Sequence, residues 1–139
     1  MARQLRLPRN DALQLFKRMV SNIVARNNDD HSKNFAFYLR DDKWRLTPAC
    51  DMAFCYKANN LWVEQHWMSA NGKRKDHNKK DLIAVGENTT RLPHSEMHQI
   101  VDQVIQSVSR WDQLSKEYDV PTRLRNGITK NLLLNDLLR

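Results

Sequence analysis

The chain has 139 residues, of which 40% are hydrophobic and 28% charged, with a net charge of +7 at pH 7. This length fits one domain, and the composition excludes a fibre, a low-complexity chain and a disulfide-rich protein. No apolar run approaches the roughly 20 residues of a membrane-spanning helix, and the N-terminal MARQLRLPRN has no apolar signal-peptide core. We therefore expect one cytoplasmic domain over residues 1–139, with no membrane partner and a positive surface that attracts phosphates.

The first predicted element is a helix that starts near Asn10 and ends near residue 25. Apolar residues recur there at helical spacing, and Asn10 or Asp11 is a plausible N-cap. Directly after this helix comes a crowded polar stretch, RNNDDHSKN at residues 26–34. Its density of carboxylate, amide and imidazole groups makes it the first candidate site.

A hairpin is predicted straight after the polar stretch. In residues 34–39, NFAFYL, the large apolar Phe35, Phe37 and Leu39 occupy every second position, which is typical of a strand. KWRLTP at residues 43–48 predicts a return strand after an Asp-Asp turn. We expect Phe35, Phe37 and Leu39 to anchor this hairpin.

The rest of the chain is predicted to be an irregular segment followed by helices. Residues 50–77 lack a clear period, although LWVEQHW near residues 61–67 suggests one short strand. Helical spacing then covers about 78–87, 94–117 and 121–138. The predicted fold class is α+β and mostly helical.

The polar stretch has the composition that phosphoryl transfer requires. Because a hairpin folds back on itself, Asp51 after its second strand should lie near Asn34 before its first. A carboxylate at Asp29 would accept the hydroxyl proton, and Asn34 with Asp51 would hold magnesium on the nucleotide phosphates. Lys33 would point at the transferred phosphate, and His31 would support the loop or the nucleotide.

Three less specific interpretations stay open for these features. An Asp-rich loop before a strand is often only a helix C-cap and turn. His31 with Asp29 or Asp30 could bind a transition metal, although a second histidine at ligand spacing is absent. The basic residues of NGKRKDHNKK either form a solvated loop or contact nucleic acid; they are Lys73, Arg74, Lys75, Lys79 and Lys80.

Several stretches in the same order resemble the C-terminal domain of HipA-type kinases, the serine/threonine kinase toxins of bacterial toxin–antitoxin modules. These stretches are VARNNDDHSKNFAFYL, WRLTPACDMAF, NGKRKD, KKDLIAVG and SRWDQLSKEYDV. The resemblance implies a protein-kinase-like C-terminal lobe with a short catalytic hairpin. It also implies ATP as substrate, Mg²⁺ as cofactor, and protein hydroxyls as acceptors on translation components such as aminoacyl-tRNA synthetases.

The resemblance also implies a role for each residue of the motif. Asp29 is the catalytic aspartate, assisted by Lys33, and Asn34 and Asp51 bind magnesium. The nucleotide site is formed by His31, Ser32, Lys33, Asn34 and Asp51. Asp30 is expected to cap its own loop.

A kinase of this kind also needs a Gly-rich loop over the phosphates, which the sequence does not contain. Its three glycines, Gly72, Gly86 and Gly127, are far apart. We therefore expect a domain truncated at its N-terminus that is inactive alone. The alternative function is a non-catalytic binding module that contacts an antitoxin partner or DNA through its basic patch. The resemblance also implies that DNA is contacted through the antitoxin complex.

Overall fold

The computed structural model describes residues 4–90 and 93–134, and its first helix is α1, Arg9–Val24. Helix α1 was predicted correctly, but the expected cap at Asn10 or Asp11 is wrong. Pro8 is the N-cap, and its carbonyl accepts the first helical hydrogen bond from the amide of Ala12 over 3.0 Å. The Asp11 side chain instead binds the hairpin, where its carboxylate accepts a hydrogen bond from the Leu46 amide over 3.0 Å.

The predicted hairpin is confirmed as β1, Phe37–Arg40, antiparallel to β2, Lys43–Leu46. Asp41 and Asp42 form its two-residue turn, both at positive φ, as the tight turns that match strand twist require. β1 starts later than expected because residues 32–34 form a 3₁₀ turn. The expected anchoring by Leu39 is wrong: its side chain is 57% exposed near the tip of the hairpin.

Residues 47–78 contain no helix or strand, only turns and isolated bridges. The strand predicted near residues 61–67 is therefore wrong. Its backbone does not pair as a strand: the Trp67 amide donates to the carbonyl of Asn28, and the His66 amide to that of Arg74. The segment is thus held against the polar loop that follows α1.

Four helices complete the described residues: α2, Lys79–Thr90, α3, His94–Ser109, α4, Trp111–Glu117, and α5, Thr122–Asn131. The single helix expected over 94–117 breaks at Arg110, and the last helix ends before residue 138. The Trp111 indole donates a hydrogen bond to the hydroxyl of Thr129 on α5, so α4 turns toward α5. Residues 135–138 of that prediction lie outside the described residues.

The core lies where α1, α2 and α3 pack together, with Ile23, Leu82 and Met97 among its most buried side chains. This packing fixes the C-terminal end of α1, from which the polar loop emerges. The predicted fold class, α+β and mostly helical, is confirmed. Within residues 4–90 and 93–134, no helix has both the length and the apolar character needed to cross a bilayer.

Candidate active site

Asn34 joins the two ends of the hairpin to the loop before it. Its side-chain Nδ2 donates one hydrogen bond to Asp51 Oδ2 over 3.0 Å and another to the backbone carbonyl of Asp29 over 3.1 Å. The structure therefore brings together the three residues for which the sequence predicted proximity. Asp29, Asn34 and Asp51 form what we call the DND cluster.

Asp51 has a backbone φ of +53°, a left-handed conformation that costs a non-glycine residue roughly 1 kcal/mol. Two asparagines hold it there. Asn34 Nδ2 donates a hydrogen bond to the Asp51 carboxylate, and Asn27 Nδ2 donates one to the Asp51 backbone carbonyl over 2.9 Å. Asn27 is itself fixed by α1, because the same amide also donates to Asn22 Oδ1 over 3.1 Å. The position of Asp51 is thus set from the end of α1.

The two adjacent aspartates have opposite environments. Asp30 is 6% exposed, whereas the side chain of Asp29 is 43% exposed. The Asp30 carboxylate is fully engaged by hydrogen bonds from His66 Nδ1, 3.0 Å, and the amides of Trp67, 2.8 Å, and Met68, 3.2 Å. The expectation that Asp30 caps its own loop is therefore wrong, because it caps a segment more than 30 residues later. Asp29 is therefore the aspartate of the two whose carboxylate is accessible from solvent.

The residues between Asp30 and Asn34 shape the outer edge of the cluster. The ring Nε2 of His31 lies 4.0 Å from Asp29 Oδ1, while its Nδ1 is buried without a hydrogen-bond partner. Ser32 and Lys33 are exposed on the 3₁₀ turn. Both side chains are thus accessible from solvent.

The donor atoms at the cluster suit magnesium better than a transition metal. The bonds made by Asn34 Nδ2 leave its Oδ1 as an acceptor, and Asp51 keeps a second carboxylate oxygen. In the part of the chain that the structure describes, no three His, Cys, Asp or Glu side chains form a metal-binding group. Mg²⁺ prefers one or two protein oxygens and takes its other ligands from phosphates and water. The residues present therefore fit Mg²⁺ bound together with a nucleotide.

The negative charge of the cluster affects the pKa of a neighbouring thiol, that of Cys55. Burial raises the pKa of Cys55, and the negative charges of Asp29 and Asp51 raise it further. Cys55 belongs to the same framework, because its backbone pairs with Arg26 and Asn28. Negative charge concentrated at the cluster favours a cation there.

The predicted basic patch is only partly free. Lys73 pairs with Asp81 over 2.8 Å, and Lys79 pairs with Asp102 over 2.6 Å. Arg74 donates to the His66 carbonyl and lies over the ring of Trp67. Lys75 and Lys80 are exposed on the surface. The patch is therefore less available to nucleic acid than its sequence suggests.

Three residues that organise this site were not predicted from the sequence. Asn27 and Asn28 stand inside the motif, and their amide side chains were the available signal. Asn28 is fully buried and donates from Nδ2 to the Val63 carbonyl over 3.1 Å. His66 lies in the irregular segment, where no periodicity distinguishes a buried histidine from an exposed one.

A comparison with known families gives an independent assignment. The family model described as "HipA-like C-terminal domain" matches residues 1–111, a span that contains the whole DND cluster and the basic patch. Among curated proteins, the search found no significant match. Since the match covers 111 of the 139 residues, the chain belongs to the HipA-like C-terminal domain family.

Proposed function

We propose that the chain is the C-terminal lobe of an ATP-dependent serine/threonine protein kinase. The observation that carries this proposal is the hydrogen-bonded convergence of Asp29, Asn34 and Asp51 within a domain of this family. As the family resemblance implies, the acceptors would be hydroxyls on translation components such as aminoacyl-tRNA synthetases. An antitoxin protein would be its regulatory partner, with DNA contacted through that complex.

In the proposed reaction Asp29 accepts the proton of the attacking hydroxyl. The hydroxyl oxygen forms a bond to the γ-phosphorus of ATP, and the bond from that phosphorus to the β,γ-bridging oxygen breaks, which releases ADP. Asp29 suits this role because its side chain is partly exposed, whereas its backbone carbonyl is fixed by Asn34. A fixed backbone limits where the carboxylate can lie, which supports both orientation and proton transfer.

Asn34 and Asp51 would hold the metal beside the phosphates. Mg²⁺, when bound, neutralises charge that develops on the transferred group. Lys33, which is exposed, would contact the same phosphoryl oxygens, and His31 and Ser32 would line the nucleotide site, as the family resemblance implies. The mutual hydrogen bond of Asn34 and Asp51 supports this role, because it holds the two proposed ligands next to each other.

The chain itself lacks a Gly-rich loop. Its three glycines are at positions 72, 86 and 127, so the nearest two are 14 positions apart. We propose that these phosphate contacts come from an N-terminal lobe. The isolated chain should then bind Mg²⁺-ATP weakly and transfer phosphate at a negligible rate.

The test is transfer from labelled ATP to candidate synthetases by the chain, with and without a supplied HipA-type N-terminal lobe. We expect transfer only with the lobe, and its loss in Asp29→Asn. Asp42→Asn, on the exposed hairpin turn, is the matched control and should keep full activity. Equal rates in Asp29→Asn and the wild type would refute the proposed role of Asp29, and transfer by the chain alone would refute its incompleteness.

The alternative of a non-catalytic module has less support, since Lys73 and Lys79 are neutralised by aspartates. It predicts DNA binding that weakens steeply with salt and depends on Lys75 and Lys80. If Asp29→Ala kept every measurable activity while Glu substitutions at Lys75 and Lys80 abolished it, the binding role would replace the kinase role.

A further inference from the structure

We propose that Asp30 is a positioning residue for Asp29, acting through a clamp that it forms with His66. This inference rests on the proposed function, because it assigns Asp30 a role in orienting the catalytic carboxylate. The clamp consists of Asp30, His66 and the backbone amides of Trp67 and Met68.

The residues on both sides of Asp29 are held by the same irregular segment. The Asn28 amide donates to the Cys55 carbonyl over 3.0 Å, and the Asn28 carbonyl accepts from Trp67 over 3.2 Å. Asp30 binds the next part of that segment with its side chain. Asn28 and Asp30 are buried, and Asp29 between them is partly exposed. With its two neighbours buried and bonded to this segment, Asp29 is the residue of the three whose side chain reaches the surface.

His66 gives the clamp a rigid base. Its side chain is 2% exposed, and its Nδ1 donates to Asp30 Oδ2, which leaves Nε2 buried without a partner. Its backbone is fixed on both sides by Arg74: the His66 amide donates to the Arg74 carbonyl, and the His66 carbonyl accepts from Arg74 Nε. The ring also packs edge-on against His77 with centroids 5.4 Å apart. Asp30 is therefore bonded to a group that cannot easily move with it.

Loss of the clamp should affect the rate rather than nucleotide binding. Asn34 and Asp51 are bonded to each other and not to Asp30, so the metal site should survive when Asp30 changes. A carboxylate displaced by about 1 Å can cost on the order of 100-fold in rate. In the chain complemented with an N-terminal lobe, we expect Asp30→Ala to lower kcat about 100-fold, with the KM for ATP changed less than about twofold.

Two conservative variants test the positioning role by rescue. Asp30→Asn keeps one oxygen for the amides of Trp67 and Met68 and should recover part of the kcat that Asp30→Ala loses. His66→Asn places an amide N–H near the position of Nδ1 and should stay closer to wild type than His66→Ala. If the alanine and the conservative variants lose kcat equally, the hydrogen bonds of the clamp are not what positions Asp29.

Asp81→Ala is the matched control for a purely structural effect. Asp81 is also a buried aspartate, 4% exposed, that accepts bonds from Lys73, Asn71 and the Asn78 amide, but it does not contact the loop of Asp29. It should lower thermal stability and leave kcat near wild type. If Asp81→Ala and Asp30→Ala lose the same amount of kcat for each degree by which they lower the melting temperature, the proposal is overturned.

A second readout does not depend on catalysis. In the isolated chain, amide hydrogen exchange at residues 29–31 should accelerate in Asp30→Ala and stay unchanged in Asp81→Ala. If the complemented wild type transfers no phosphate, the proposed kinase function fails, while accelerated exchange would still establish that Asp30 orders the backbone of Asp29. Unchanged exchange in Asp30→Ala would refute the clamp whatever the activity.

Discussion

The side-chain amide of Asn34 donates a hydrogen bond to the carboxylate of Asp51 over 3.0 Å, although the two residues are 17 positions apart in sequence. The hairpin between them is what makes this contact, because β1 and β2 return the chain to its starting point. The same amide also binds the backbone of Asp29. One side chain thus links the candidate base to the candidate metal ligand, and the cluster should respond as a unit to substitution.

Replacing Asn34 by Ala should weaken the binding of Mn²⁺ with ATP by at least about tenfold, the lower end of what loss of a metal-site partner costs. The variant removes the proposed ligand oxygen of Asn34 and the hydrogen bond to the Asp51 carboxylate. Electron paramagnetic resonance titration of free Mn²⁺ in the presence of ATP measures this affinity. Asn88→Ala, at an exposed position on α2 whose amide bonds only to its own helix, is the control. Unchanged Mn²⁺ affinity in Asn34→Ala would remove Asn34 from the metal site.

Asp81 should make the fold sensitive to acid. Burial alone would raise its pKa, but hydrogen bonds from Lys73, Asn78 and Asn71 outweigh burial and lower the pKa to about 2. A carboxyl with a lowered folded pKa stabilises the fold above its unfolded pKa, near 4, and this stabilisation is lost as pH falls from about 4 to about 2. The shift corresponds to about 2 kcal/mol.

Urea unfolding between pH 2 and pH 6 measures that effect. The free energy of unfolding of Asp81→Asn should fall less steeply over this range than that of the wild type, by about 2 kcal/mol. Parallel pH profiles for the two proteins would show that Asp81 does not carry the linkage.

Gly86 and Gly127 should respond in opposite directions to alanine. A Cβ on Gly86 would lie 2.5 Å from Met97 Sδ and 3.0 Å from Phe16 Cζ, whereas one on Gly127 would meet nothing within 4 Å. We expect Gly86→Ala to destabilise by about 1–3 kcal/mol through overpacking. Gly127→Ala, in exposed helix α5, should stabilise by about 0.5–1 kcal/mol.

Thermal unfolding of these two single variants provides the comparison. If Gly86→Ala is as stable as Gly127→Ala, the flexible Met97 side chain has moved aside and α2 does not need a glycine at its contact with α3.

Asp11 should be required to hold the hairpin on α1. Its carboxylate accepts hydrogen bonds from Arg45 Nε, 2.7 Å, and the Leu46 amide, 3.0 Å, and the bond from Arg45 lowers its pKa. Asp11→Ala leaves the buried Leu46 N–H without a partner, which should cost about 1–3 kcal/mol. Amide hydrogen exchange at Leu46 should accelerate accordingly.

Asp11→Asn retains one oxygen for Leu46 and serves as the conservative control. It should lose less stability than Asp11→Ala. A larger loss in Asp11→Asn would mean that the charge pair with Arg45, rather than the bond to the Leu46 amide, holds the hairpin.

Local sequence patterns predicted the elements that depend on local interactions. Helix α1 and the hairpin followed from apolar spacing and from an Asp-Asp turn, and the structure has both. The break at Arg110 was not predictable in this way, because the apolar stripe continues through it. Directly after the break the Trp111 indole donates to Thr129, a contact across 18 residues that no local pattern contains.

The irregular segment over residues 47–78 shows the same limit. Its Trp and Val residues favour a strand, yet its backbone pairs with Asn28 and Arg74 instead of with another strand. Propensity describes a residue's own preference and contains no information on a distant partner.

Residue patterns alone were enough to predict the family, the mostly helical α+β class and the proximity of Asn34 to Asp51, because a two-residue turn brings the two ends of a hairpin together. Which of the adjacent aspartates is accessible could be read only from the folded chain. Asp29 and Asp30 are the same residue type at adjacent positions. They differ in exposure because His66, more than 30 residues away, covers Asp30 and hydrogen-bonds its carboxylate. A buried carboxylate must find such partners to offset its lost hydration, and those partners come from the folded chain.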